Sequence, residues 1–163
     1  DLTTGETSEF SAAVLVGQTL TVNTTDDTSD GTCNSTHCSL REAILAANAD
    51  AAFDRINFAI PGTGPHTITA GASGLPDVTG PVEIDGGSQA GSSANTQTGP
   101  GNDAVRMIVL SAPSVVSLAD LLVVAAGAEG SIIRDLAFRD IDTDGGSLLA
   151  IEADDVRVLG CSF

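Results

Sequence analysis

Apolar residues in this chain fall into two spacings. Around residue 40, Leu40, Ala43, Ile44 and Ala47 recur every three or four positions, which puts them on one side of a helix. Ser39 stands three residues before Glu42, the spacing of a capping box. In that box the serine hydroxyl accepts from the Glu42 amide while the glutamate side chain reaches back to the cap. A helix over about 39–49 is therefore predicted, with Ser39 and Glu42 as its cap and Leu40 and Ile44 as its buried face. Elsewhere the apolar runs are short and bounded by Gly, Pro, Asp, Ser and Thr. They read as strands at Val14 to Val22 broken at Gly17, Ile56 to Ile60, His66 to Ala70, Val82 to Asp85 and Arg106 to Leu110. Gly86 to Asn102 has no periodicity and reads as a projecting, mobile loop.

The last forty residues repeat. Ile133 to Phe138 aligns with Val158 to Phe163 at an offset of 25, and Leu121 to Val124 with Leu148 to Ile151 at 27. Short apolar strands recurring at such a period predict a solenoid in which stacked coils bury equivalent positions. A β-sandwich is the competing fold, but the turns lack its regular two-residue hairpin signals. The expected class is all-β: a right-handed parallel β-helix capped at its N-terminal end by the helix around 39–49. The expected organisation is a flexible segment over 1–12 and one domain over 13–163, with a cap at 13–60 and coils at 66–163.

Composition narrows the possible partners. The net charge is −16, all six basic residues are Arg, and sixteen of the 22 acidic residues are Asp. Phosphate recognition needs clustered cations, so nucleic acid is excluded as a partner. No apolar run approaches the roughly 18 residues of a membrane span, so no membrane insertion is expected. Cys33 and Cys38 lie five apart in a polar loop, as the ends of a local disulfide would, and this favours an exported protein. Metal ligation by the pair with His37 is the alternative, but it lacks a fourth ligand and the usual zinc spacing. Cys161 is left over as a small buried hydrophobe.

The run Thr21 to Asp27, continued by Cys38-Ser39-Leu40-Arg41-Glu42-Ala43-Ile44 and Ala47-Asn48, resembles the N-terminal region of bacterial surface proteins named for their C-S-L-R-E-A motif. Ile60 to Ile68, Leu75-Pro76, Val82 to Gly86 and Gln89-Ala90-Gly91 fit the same family. The resemblance implies export to the cell surface, a pectate-lyase-like right-handed β-helix, and continuation into a longer array. It implies no defined activity.

Candidate chemistry is sparse. Asp154-Asp155 is similar to the paired carboxylates of polygalacturonases, but the accompanying Asn-Thr-Asp, Gly-His-Gly and Arg-Ile-Lys pieces are missing. His37 and His66 read as structural, and no catalytic residue is assigned. Asp140, Asp142 and Asp144 form a D-x-D-x-D-G run ending at Gly145, the first half of many calcium loops. The twelfth position, which should be Glu, is Ile151, so a solvated acidic turn is the competing reading. Asp27 and Asp30 form a second acidic loop of the same kind. Calcium is the expected cofactor if any is bound. The expected function is a non-catalytic extracellular or cell-surface structural or adhesion protein. Its partners would be a second copy or continuing chain at the C-terminal end, a surface protein, or a glycan. The alternative is a carbohydrate-binding or polysaccharide-processing module, which the absence of Trp and Tyr disfavours.

Overall fold

A computed structural model describes residues 16–112, 120–139 and 146–163. Strand β1 (Thr19–Val22) leads through a long loop to helix α1 (Leu40–Ala47). After the helix come β2 (Asp54–Phe58), β3 (His66–Thr69), β4 (Val82–Asp85) and a single 3-10 turn at Gly86–Ser88. The chain continues through β5 (Ile108–Ser111), β6 (Leu122–Val124), β7 (Ile132–Arg134), β8 (Leu136–Arg139), β9 (Leu149–Ile151) and β10 (Arg157–Leu159). The strands form three sheets, ordered β1-β2-β4-β7-β10, β3-β5-β8 and β6-β9, and every pair within them is parallel.

Parallel register puts like residues beside like. Leu20, Ile56, Ile84, Ile133 and Val158 are successive partners across the five-stranded sheet, and the first four are buried. Ile68, Leu110 and Phe138 make a second buried row, and Leu122 pairs with Leu149 in the third sheet. Each fully buried aliphatic side chain contributes about 1.5–3 kcal/mol of transfer free energy, so these rows supply much of the core. The outer face of the large sheet carries Arg55 and Arg134, exposed arginines whose ion pairs at 3.3–3.6 Å reach the buried Glu83 and the partly buried Asp85.

The all-β, right-handed parallel β-helix expected from the sequence is corrected to a small α/β arrangement, with three sheets of short parallel strands and one α-helix among the described residues. Helix α1 is part of the core: Leu40, Ala43, Ile44 and Ala47 are buried, and the helix packs on β1 and β2. Nor is there one period. The two terminal repeats pair as aligned, Ile133 with Val158 and Leu122 with Leu149. Yet along the five-stranded sheet the partners Thr19–Arg55, Arg55–Glu83, Glu83–Ile132 and Ile132–Arg157 are 36, 28, 49 and 25 residues apart.

The widest of these spacings contains the segment read as a projecting loop, which is ordered by specific bonds. Buried Gln89 acts as a surrogate strand, its Oε1 accepting from the Ile60 amide (2.8 Å) and its Nε2 donating to the Ile60 carbonyl (3.0 Å). Ser88 Oγ accepts from the Phe58 amide, and Ser93 and Val105 form an antiparallel bridge.

Candidate metal centre

The segment between β1 and α1 is folded onto the start of the helix by three residues of the helix and its cap. Ser39 Oγ accepts from the Glu42 amide (3.2 Å) and donates to the Thr28 carbonyl (2.6 Å). Arg41 clamps Asp27 with two bonds, Nε to Oδ1 at 3.0 Å and Nη2 to Oδ2 at 2.6 Å, and Nη2 also reaches the Gly74 carbonyl. Glu42 takes the Ser39 amide on Oε2 (3.0 Å) and the Asp30 amide on Oε1 (2.6 Å). The predicted capping box is therefore present, with Ser39 as cap and the helix running Leu40–Ala47.

The far side of the loop is closed covalently and through Asn23. Cys33 and Cys38 form a disulfide. Asn23 Oδ1 accepts from the Cys38 amide, while its Nδ2 donates to the carbonyls of Asn34 and Ser35. Asp26 and Asp30 each accept from the amide two residues ahead, at Thr28 and Thr32, in turns that aspartate favours.

These constraints gather ligand atoms. One each from Asp30, His37 and Glu42 lie within 4.8 Å of one another, a group that can hold a metal ion. His37 Nε2 lies 3.1 and 3.3 Å from the two oxygens of Asp26. Its Nδ1 is buried and lies 2.9 Å from Glu42 Oε2, without the alignment of a hydrogen bond. Hydrogen bonds from Thr24 and then Thr28 hold the Asp26 carboxyl well below its ordinary range. The hydrogen bond to Asp26 pushes the His37 imidazole up, and the charge of Glu42 adds to this. Burial raises Glu42, but the Ser39 and Asp30 amides together outweigh it and bring the carboxyl down to about 2. Glu42 also borders a cavity of 360 Å³ lined by Ser29, Gly31, Thr32, Cys33 and Leu45.

No family model matches the chain, and no curated protein or solved structure matches it. The arrangement must be judged on its own chemistry. The disulfide removes Cys33 and Cys38 from any metal-ligand set with His37. Of the two aspartates read as a cation loop, Asp30 belongs to the ligand group, whereas both oxygens of Asp27 are committed to Arg41 and one also accepts from the Gly71 amide. Asp140, Asp142 and Asp144 lie outside the described residues. Leu40 and Ile44 sit in the core as predicted. His66 is buried in β3, its Nε2 without a partner among the described residues, and Cys161 is a half-buried free thiol that burial pushes up.

Sequence reasoning gave Glu42 its capping role, weighed His37 as a ligand only together with the cysteine pair, and named Asp30 only as part of an acidic loop; it did not bring the three together. The available signal was a histidine five residues before a glutamate that must point back along the chain. No helix in the described residues is long and apolar enough to cross a membrane.

Proposed function

We propose that the chain is a non-catalytic structural or adhesion module that works outside the cell, at the bacterial surface, as its C-S-L-R-E-A resemblance implies. The observation that carries this reading is the Cys33–Cys38 disulfide, which closes the loop packed on the helix cap. Such a bond persists in oxidising surroundings and is rare in a reducing cytosol. The acidic composition supports the reading, since a net charge of −16 keeps a displayed domain soluble and repels nucleic acid. So does the use of polar side chains: Ser39, Arg41, Asp27 and Gln89 spend their hydrogen bonds on backbone and loop closure. Calcium at Asp140, Asp142 and Asp144 belongs to the same proposal and rests on the sequence run alone. Self-association belongs to it as well.

The test has three parts. Antibody against the chain should label intact, unpermeabilised cells of the native host. Beads coated with the oxidised chain should adhere to cells or immobilised glycans, and sedimentation should report any self-association. A polysaccharide panel should yield neither reducing ends nor unsaturated uronates. Exclusive cytoplasmic location, or heat-sensitive turnover of any polysaccharide, would overturn the reading.

A further inference from the structure

A neutral imidazole carries one N–H and one bare lone pair, and its surroundings decide which nitrogen is which. In His37 the Nε2 faces the carboxylate of Asp26, an acceptor-only group, so the N–H belongs there. That leaves Nδ1, buried and without a hydrogen-bond partner, as the lone-pair end. It points into a carboxylate: Glu42 Oε2 is 2.9 Å away. Two lone pairs at that distance repel, so a positive centre belongs there: a second ring proton, which the flanking carboxylates favour when no metal is bound, or a metal ion that displaces that proton. Asp30 brings a third donor to the same place, its backbone amide fixed on Glu42 Oε1 and its carboxylate within reach of the other two ligands.

We propose that His37 Nδ1, Glu42 and Asp30 bind a divalent cation of the zinc class, with Asp26 as the residue that orients the histidine. Several observations converge on this. The donor set is one imidazole nitrogen and two carboxylates, and imidazole selects borderline transition metals, whereas calcium takes oxygen alone. Nδ1 and Oε2 stand 2.9 Å apart, about half an ångström closer than two tetrahedral ligands at about 2.1 Å, so a small parting of the two side chains admits the ion. A carboxylate on the far nitrogen is the usual support of a metal-bound histidine, and Thr24 and Thr28 lock that carboxylate in place. Three protein ligands leave room for water on the ion.

The ion would join residues from three places, the 26–30 turn, the disulfide loop and the first turn of α1, so binding would stiffen the edge of the fold next to β1. This proposal goes beyond the extracellular structural role and stands independently of whether the module adheres.

The experiment is calorimetric titration of the oxidised, chelator-stripped chain with zinc chloride, with manganese and calcium chlorides as parallel arms and a thermal scan of each mixture. One saturable zinc site and a rise in Tm are expected. H37Q and D30N should each weaken binding at least tenfold, and D26N tenfold to a hundredfold, as loss of a supporting carboxylate does. H37Q and D30N should keep the apo Tm within a few degrees, which separates lost ligation from lost folding. An absence of heat and thermal shift up to millimolar zinc would overturn the site. So would zinc binding that H37Q leaves unchanged, which would mark adventitious ions on the acidic surface, and so would calcium binding as tightly as zinc.

Discussion

Replacing Glu42 with Gln tests whether the buried carboxylate holds the loop onto the helix. Glu42 is 3% exposed and accepts amides from both ends of the assembly, Ser39 at the cap and Asp30 in the loop. Glutamine keeps one acceptor and turns an NH₂ toward the other amide, leaving two donors facing each other. The size of the loss follows from linkage. A carboxyl brought from 4.5 in the unfolded chain to about 2 in the folded one contributes roughly 3 kcal/mol at neutral pH. Because the folded value is the lower one, this contribution is complete above the unfolded value and disappears as pH falls toward the folded value. At pH 3 the same arithmetic leaves only about 1 kcal/mol. Urea denaturation of the oxidised wild type and E42Q, both with chelator present, should therefore show a gap of roughly 3 kcal/mol at pH 7 that shrinks to less than about half at pH 3. A gap below about 1 kcal/mol at pH 7, or one that stays constant with pH, would refute the assignment.

Three further substitutions probe other parts of the fold. Ile44→Asp puts a charge into a site 1% exposed under β1 and β2 and should cost at least about 4 kcal/mol, read as loss of the cooperative unfolding transition; unchanged stability would mean the helix is not part of the core. Gln89→Leu strips both partners from the Ile60 backbone and should cost about 2–4 kcal/mol by denaturant midpoint, with amide exchange at Ile60 accelerating first. Cys33→Ala with Cys38→Ala opens a small ring and should cost about 2 kcal/mol on the chain-entropy model, with the strands of the large sheet retained by circular dichroism.

What could be read from the sequence was what short-range physics decides. The capping box needs only Ser39, Glu42 and four apolar residues at helical spacing, so it was legible and is present. The offsets of 25 and 27 were legible because the apolar partners are similar. The same logic failed where a long insertion separates partners: Glu83 and Ile132 pair across 49 residues, and no periodicity marks that distance. Gln89 looked like loop filler because a lone glutamine gives no sign that its amide will stand in for a strand. The class was misjudged for a related reason. The helix was read as a plug added to an all-β body, whereas its buried face is continuous with the strands that make the core.

Asp30 was legible as part of an acidic loop, but the ligand group as a whole was not, because it exists only once the loop is closed. Asp30 and Glu42 are twelve residues apart and meet because a backbone amide, not a side chain, binds the glutamate. His37 meets Glu42 because the disulfide and Asn23 fold the chain back just before the cap. Ser39, Arg41 and Glu42 hold Thr28, Asp27 and Asp30 respectively, so the Ser-Leu-Arg-Glu run reads the acidic loop nearly residue by residue while Leu40 enters the core. A cap needs only Ser39 and Glu42. The added Arg41 clamp on Asp27, and the second amide on Glu42, do nothing for the helix itself; they fix the loop. The run is therefore better understood as a loop-locking device than as a helix start. The place it locks is where His37 presents an unpartnered nitrogen to a carboxylate.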